Sequence, residues 1–326
     1  ILFRTKFRND WLFQHFLNKG FVLFPGSLKQ AKYEYILIHL VDTLPLAVKL
    51  KRKTGARIIY DCQEYFQGQY MNSPPMLRSW VREAEQRGMG EIDIVLSTTN
   101  VMLQKLKLEF VGPRAFIRVR NLPPLSKAKS RDSVEDNLKL VWHGLTIVPD
   151  NARRIHIILQ SLANCNTPVQ LYLQGNITED NKRKLNEWLV RLNIIDKVFV
   201  LPPVSPDNIV NSLLQYDIGI AGELAAEDNQ RLTSSNKMFE FIVAGLVPIV
   251  PDLPGLAESI QELGVGILYE QGNFIQLARI IDDLNLHRNK LAEYKQASRN
   301  VAENNLCWEE DYNQVWKTML LWNQEN

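Results

Sequence analysis

Residues 229–260 read NQRLTSSNKMFEFIVAGLVPIVPDLPGLAESI. A polar start at Thr233-Ser234-Ser235 leads into an apolar helix. Gly245 stops it, and a short apolar strand follows, ending at Pro251-Asp252. Two charges, Lys237 and Glu240, stand inside a run that otherwise reads as core. A carboxylate there carries a burial cost unless something satisfies it. A ligand with hydroxyl groups would do so.

The same alternation of short β-rich runs and helical stretches extends outward on both sides, which is the pattern of parallel α/β sheets. Upstream, strands are expected at Phe21–Phe24, Tyr35–Leu40, Arg57–Cys62, Ile92–Thr98 and Phe116–Val119, with helices at Leu44–Lys53 and Met76–Arg87. The polar stretch SKAKSRDSVEDN, Ser126–Asn137, then breaks the pattern and reads as a linker. After it the alternation restarts at Leu138–His143 and runs through Ile267–Leu268. The tail, Trp308–Trp322, is one amphipathic helix with Trp308, Tyr312, Trp316 and Leu320 spaced by four. Two Rossmann-like domains facing across a cleft are the economical reading. Ligands of open parallel sheets sit beyond the carboxyl ends of the strands.

The expected division is residues 1–126 as an N-terminal Rossmann-like domain, 127–137 as linker and 138–307 as a C-terminal Rossmann-like domain. Residues 308–326 form a helix expected to cross back to the first domain.

With 326 residues the chain can bury two full cores. A net charge of +2 gives no basis for a nucleic-acid footprint over the whole molecule. Cys62, Cys165 and Cys307 are too scattered for a disulfide framework or a zinc site, and read as reduced cytosolic thiols. No apolar run approaches the roughly 20 residues needed to span a bilayer. No signal peptide is read, and because the chain begins at Ile1 rather than Met, residues upstream are expected. No G-x-G-x-x-G or Walker A sequence occurs; GMG at Gly88–Gly90 and GVG at Gly264–Gly266 both lack the third glycine.

Lys237 and Glu240, three apart on one helix, share a face near its N-terminus. First-turn N–H groups are unpaired donors at the positive end of the helix dipole, a ready anion site. A phosphate there, with Lys237 in reach and Glu240 accepting from ribose hydroxyls, accounts for all three features. On helix physics alone, a half-exposed i,i+3 ion pair is the favoured reading.

The wider string weighs on that choice. SSNKMFEFIVAGLVPIVPDLPGLAESI followed by GVGILY resembles the nucleotide-sugar-binding segment of retaining GT-B glycosyltransferases of family four. That pattern is N-K-x-x-E, A-G, an apolar strand, G-x-x-E and a later G-x-L. LKLVWHG resembles the first strand and glycine loop of the family's C-terminal domain, and LYLQGN and VFVLPPVSPDNIVNSLLQYDIGIAG the elements after it. Upstream, IIYDCQEYF is similar to a D-x-H-E stretch and RNLPP to the asparagine-bearing loop closing the first domain. The likeness runs from about Tyr33 to the C-terminus, and the first strand–helix units of the N-terminal domain are shortened or absent against the family's usual length.

Carried over by position, the resemblance implies that Glu240 holds the donor ribose. Thr233, Ser234 and Ser235 fall on the loop whose amides meet the diphosphate and sugar. Gly144 matches the glycine loop, Arg153 a basic contact to the diphosphate, and Asn229 the asparagine before the N-K-x-x-E helix. His39 and Asp42, at the carboxyl end of a strand, fall where the family places a catalytic-face histidine or acid. Glu223, just past strand Ile218–Ala221, is a third catalytic candidate. The bland readings stay beside these: a core imidazole for His39 and a helix N-cap for Asp42; Glu64 is the same kind of candidate, with a solvated loop carboxylate as its bland reading. Three positions depart from the pattern. Leu232 replaces a second glutamate, Leu145 a basic residue, and Gln63 the D-x-H-E histidine.

No D-x-D pair occurs, so no metal is expected. Arg153, Lys237 and the helix N-terminus would neutralise the leaving diphosphate instead. The implied protein is a cytoplasmic hexosyltransferase taking a nucleotide-diphosphate sugar, UDP-glucose as the single best guess, with no cofactor. Its acceptor is a saccharide or a lipid-linked saccharide, as in polysaccharide or glycoconjugate biosynthesis. A nucleotide-sugar epimerase of similar build and a catalytically silent nucleotide-sugar-binding subunit are the alternatives. A basic cluster, Lys49, Lys51, Arg52, Lys53 and Arg57, either rests on anionic lipid headgroups as a peripheral membrane contact or is a solvated helix end.

Overall fold

The computed structural model describes residues 33–125, 137–149, 155–222, 225 and 227–324. The expected strand Phe21–Phe24 and nearly all of the expected linker lie outside them. Contacts between residues divide the chain into two units, residues 1–97 with 103–117, and residues 98–102 with 118–326.

The first unit carries a four-stranded sheet in the order β1 (Tyr35–Ile38), β2 (Arg57–Asp61), β3 (Ile94–Ser97), β4 (Ala115–Arg118). β1 pairs with β2, and β2 with β3, in parallel. Strand-by-strand return in one direction requires a crossover each time. Helix α1 (Leu44–Thr54) supplies the first, burying Leu44, Ala47 and Val48, and ends at Gly55 in the left-handed region. A four-residue turn of helix, α2 (Phe66–Gln69), and α3 (Pro75–Gly88) supply the second. Helix α4 (Asn100–Glu109) precedes β4.

The basic cluster is built into this unit. Lys51 Nζ donates to Asp93 Oδ2 and to the Glu91 carbonyl, both at 2.6 Å, and Arg52 donates to Glu91 through Nε and Nη2. These two cations tie α1 to the start of β3. Lys51 and Arg52, two of the five cations, are thus engaged within the unit.

In the second unit six strands run parallel: β5 (Leu138–Thr146), β6 (Val169–Asn176), β7 (Val198–Leu201), β8 (Ile218–Ile220), β9 (Val247–Pro251) and β10 (Ile267–Tyr269). Their order across the sheet is β10-β9-β8-β5-β6-β7. The order reverses between the neighbours β5 and β8, the chain returning from the β7 edge to start the other half at β8.

Successive strand residues face opposite sides, and β5 shows it. Leu138, Leu140 and Trp142 enter one core, with α5 (Ile155–Ala163), α6 (Glu179–Leu192) and α11 (Phe274–Leu286). Val141 enters the other, with α7 (Ile209–Leu213), α9 (Asn236–Val243), α10 (Pro254–Leu263) and α12 (Arg288–Asn305). The helix between these groups, α8 (Asp228–Leu232), is a single short turn before α9.

Helix α12 was not expected from the sequence, because its buried stripe is Leu291, Lys295, Ser298 and Ala302. Lys295 is buried because its ammonium donates to Asp217 Oδ1 (2.9 Å) and to the Tyr216 carbonyl. The last helix, α13 (Trp308–Gln324), is fixed by Asp311, whose two oxygens take Nε and Nη2 of buried Arg120 at 2.8 and 2.6 Å.

Among the described residues no helix is long and apolar enough to cross a membrane. All three cysteines are free. Burial pushes the Cys62 thiol well up, which leaves it inert.

Candidate functional site

In the second unit the reversal between β5 and β8 puts two strand ends side by side, with α9 starting beside them. Local sequence sets α9. Ser235 is its N-cap, and at the other end Gly245 lies at φ 72°. There Gly245 N–H donates to Ile242 and Leu246 N–H to Phe241, the paired bonds of a Schellman close. Tertiary packing sets how near it lies. A Cβ at Gly219, in the middle of β8, would overlap the Phe241 ring, so only glycine lets α9 approach the sheet this closely.

Thr233, Ser234 and Ser235 form the turn into α9. Thr233 is committed to that turn, its N–H (3.1 Å) and its hydroxyl (2.9 Å) both donating to the carbonyl of Asn229. Asn229 itself is buried. Ser234 is different: its hydroxyl is buried and has no hydrogen-bond partner. Ser235 makes no side-chain cap, and of the first-turn amides of α9 that of Met238 donates to the Ser235 carbonyl at 3.1 Å.

Glu240 lies one turn further along, its side chain 15% exposed, and its ion-pair partner is His143, not Lys237. His143 Nε2 and Glu240 Oε2 are 3.0 Å apart. Neither atom makes a hydrogen bond of acceptable angle, and both are buried. Lys237 reaches across to β5, its Nζ 5.6 Å from the centre of the Trp142 ring, whose Nε1 is also buried without a partner. Two of these buried atoms, His143 Nε2 and Glu240 Oε2, lie against each other, which leaves Ser234 Oγ beside α9 and Trp142 Nε1 on the other face of β5 without a hydrogen-bond partner. Native interiors leave few such atoms, and an unmade bond costs about 1–3 kcal/mol each. A polar ligand beside α9 is an economical partner for the Ser234 hydroxyl.

Gly144 does not lie in a loop. β5 continues through Gly144 and Leu145 to Thr146, with its register against β6 shifted between His143 and Thr146. The Asn176 side-chain amide donates to the Leu145 carbonyl and holds that extension (3.2 Å). Arg153 and Glu223 lie outside the described residues. His143 is the residue that sequence reasoning missed. It stands one place before Gly144, and the resemblance fixed attention on the glycine; a lone histidine at the end of an apolar strand gave no other signal.

The first unit holds its own cluster. His39, directly after β1, brings Nδ1 within 2.8 Å of Asp61 Oδ2 at the end of β2, and Gln63 Nε2 donates to the same oxygen at 2.9 Å. The His39 side chain is 57% exposed, which excludes the core-imidazole reading. Asp42 is exposed in the 3₁₀ turn Val41–Thr43, and the N-cap of α1 is Thr43, so Asp42 is not a helix cap. Among the described residues no group of three or more His, Cys, Asp or Glu side chains is placed to hold a metal ion.

No family model matches the sequence, and no curated protein matches it. Solved structures do match. HepE of Anabaena in complex with UDP aligns with a TM-score of 0.73 at 15% identity, over 94% of this chain and 81% of that one. Sucrose-phosphate synthase from Thermosynechococcus elongatus gives 0.74 at 13% identity, over 99% and 82%. The lipopolysaccharide outer core galactosyltransferase WaaB, in its apo form, gives 0.67 at 14% identity, over 96% and 82%. At these identities the likeness establishes architecture. The chain has the α/β GT-B fold.

Proposed function

We propose that this GT-B chain is a glycosyltransferase that moves a hexose from a nucleotide-diphosphate sugar to a saccharide or glycolipid acceptor, with retention at the transferred carbon and without a metal ion. One observation carries the reading. The Ser234 hydroxyl, buried without a hydrogen-bond partner, and the partly exposed Glu240 carboxylate one turn on lie at the start of a helix with no side-chain cap, beside the switch point of a Rossmann-type sheet. Such a place offers a diphosphate the helix amides and offers a ribose the carboxylate. The first-turn amides of α9, Ser234 and Lys237 would take the diphosphate and the charge that grows on it as the glycosidic bond breaks. Arg153 is assigned to the same charge on sequence position. Glu240 would accept from the ribose.

UDP is the favoured nucleotide and UDP-glucose the favoured donor. HepE has been crystallised with UDP and with UDP-glucose, which supports that choice by analogy of fold. His39 and Asp42, with Asp61 beside His39, are the proposed catalytic residues of the first unit, and Glu223 is assigned on sequence position as a third, in contact with donor or acceptor.

A thermal-shift panel of UDP, GDP, ADP and their sugar conjugates tests the nucleotide reading, with stabilisation expected for UDP and UDP-glucose. Incubation with the stabilising donor then separates the chemistries. Slow release of UDP and free sugar supports a transferase, an epimerised donor an epimerase, and binding without turnover a silent module.

A further inference from the structure

His143 is the last residue of β5 before Gly144, and it is buried. The Phe241 ring meets the imidazole at 89° with centroids 5.4 Å apart, so packing fixes the plane in which the ring nitrogens lie. Nε2 lies 3.0 Å from Oε2 of Glu240, off the line of the ring N–H. An imidazole lone pair that close to a carboxylate oxygen would repel it, so the proton belongs on Nε2, in the neutral tautomer or the imidazolium. The contact is close but poorly angled, as hydrogen bonds within a site often are before a ligand draws them into line.

The two oxygens of Glu240 are not equivalent in this arrangement. Oε2 is buried against His143. The exposure of the side chain is therefore on the side of Oε1. We propose that His143 is a positioning residue for the nucleotide: its Nε2–H holds Oε2 of Glu240, so that the carboxylate meets the ribose through Oε1. This rests on the nucleotide-sugar reading of the site. A histidine suits the task chemically. Its neutral form orients a carboxylate without cancelling the charge that makes the ribose contact strong, whereas a lysine or arginine would pair with it permanently.

The test is a double-mutant cycle on UDP affinity, read by calorimetry beside the melting temperature. His143→Leu is expected to weaken UDP binding about tenfold, the scale of one lost orienting hydrogen bond. His143→Gln, whose amide can donate to the same oxygen, is expected to stay within about threefold of wild type. With Glu240→Ala already present, His143→Leu is expected to add less than about twofold, because the group it acts through is gone.

The imidazole ¹⁵N spectrum of the ligand-free protein should show Nε2 protonated, and Glu240→Gln should alter it. An equal loss with and without Glu240 means that His143 touches the ligand directly, and overturns the proposal. So does unchanged affinity with a lowered melting temperature, which means a purely structural role. If His143→Leu does not fold, the His143→Gln cycle and the ¹⁵N spectrum decide. If the wild type binds none of UDP, GDP or ADP, the nucleotide reading itself falls and takes this inference with it. Tight UDP binding with an additive cycle overturns the inference alone.

Discussion

Replacing Glu240 with alanine separates a ligand-holding carboxylate from a structural one. The side chain is 15% exposed, its Oε2 lies 3.0 Å from His143, and that oxygen makes no well-angled hydrogen bond. Little stabilisation is therefore lost on truncation, and the cost of holding a partly buried charge is relieved with it. The net change in stability should stay within about 1 kcal/mol, or roughly 2–4 °C in melting temperature for a unit of this size. Binding should respond far more. One charge-assisted bond from the ribose to Oε1 is worth about 1.5–3 kcal/mol, so UDP affinity should fall roughly 10- to 150-fold. Calorimetric titration of UDP and a melting curve, on the same preparation, give both numbers. A melting temperature lowered by much more than this with an unaltered UDP dissociation constant would refute the reasoning and make Glu240 a structural partner of His143.

Glu85 on α3 is 1% exposed, its Oε2 has no hydrogen-bond partner, and burial raises its carboxyl to about 7 from an ordinary 4.5. The folded first unit thus holds a proton that the unfolded chain releases above about pH 4.5. Stability should fall by up to about 3 kcal/mol as pH rises to 7 and level off above it. Urea unfolding at pH 5 and pH 8 should show that loss in wild type and much less of it in Glu85→Gln; equal slopes would exclude Glu85 as the source. Gly219→Ala should cost about 1–3 kcal/mol through overlap with Phe241 and weaken UDP binding by shifting α9, and an unchanged protein in both assays would show the helix to be free to yield. Turnover, once an acceptor is known, should survive excess EDTA; activity lost to chelation and restored only by manganese or magnesium would show a metal requirement.

Local patterns read well because their causes are local. The helices Leu44–Thr54 and Pro75–Gly88 fall within a residue of the expected Leu44–Lys53 and Met76–Arg87. α9 begins after Ser235 and closes at Gly245 because capping and left-handed backbone depend on residues a few places apart. α12 escaped because Lys295 is apolar in neither composition nor pattern, and becomes a core residue only once Asp217, far away in sequence, is brought to its ammonium.

The candidate site divides the same way. Sequence alone marked Glu240, Lys237 and the serines as a charged, hydroxyl-rich entry to an apolar helix. It left open whether Glu240 pairs with Lys237, since helical spacing permits that pair. The fold decided for His143, 97 positions earlier on β5, because the strand order sets β5 against β8 and Gly219 lets α9 settle onto them. His39 and Asp61 are likewise joined only by the pairing of β1 with β2. Periodicity and capping determine which residues form an element and which face is apolar. Which polar groups meet at the ends of those elements depends on strand order and on how closely helices approach the sheet, and these are fixed by contacts between distant residues.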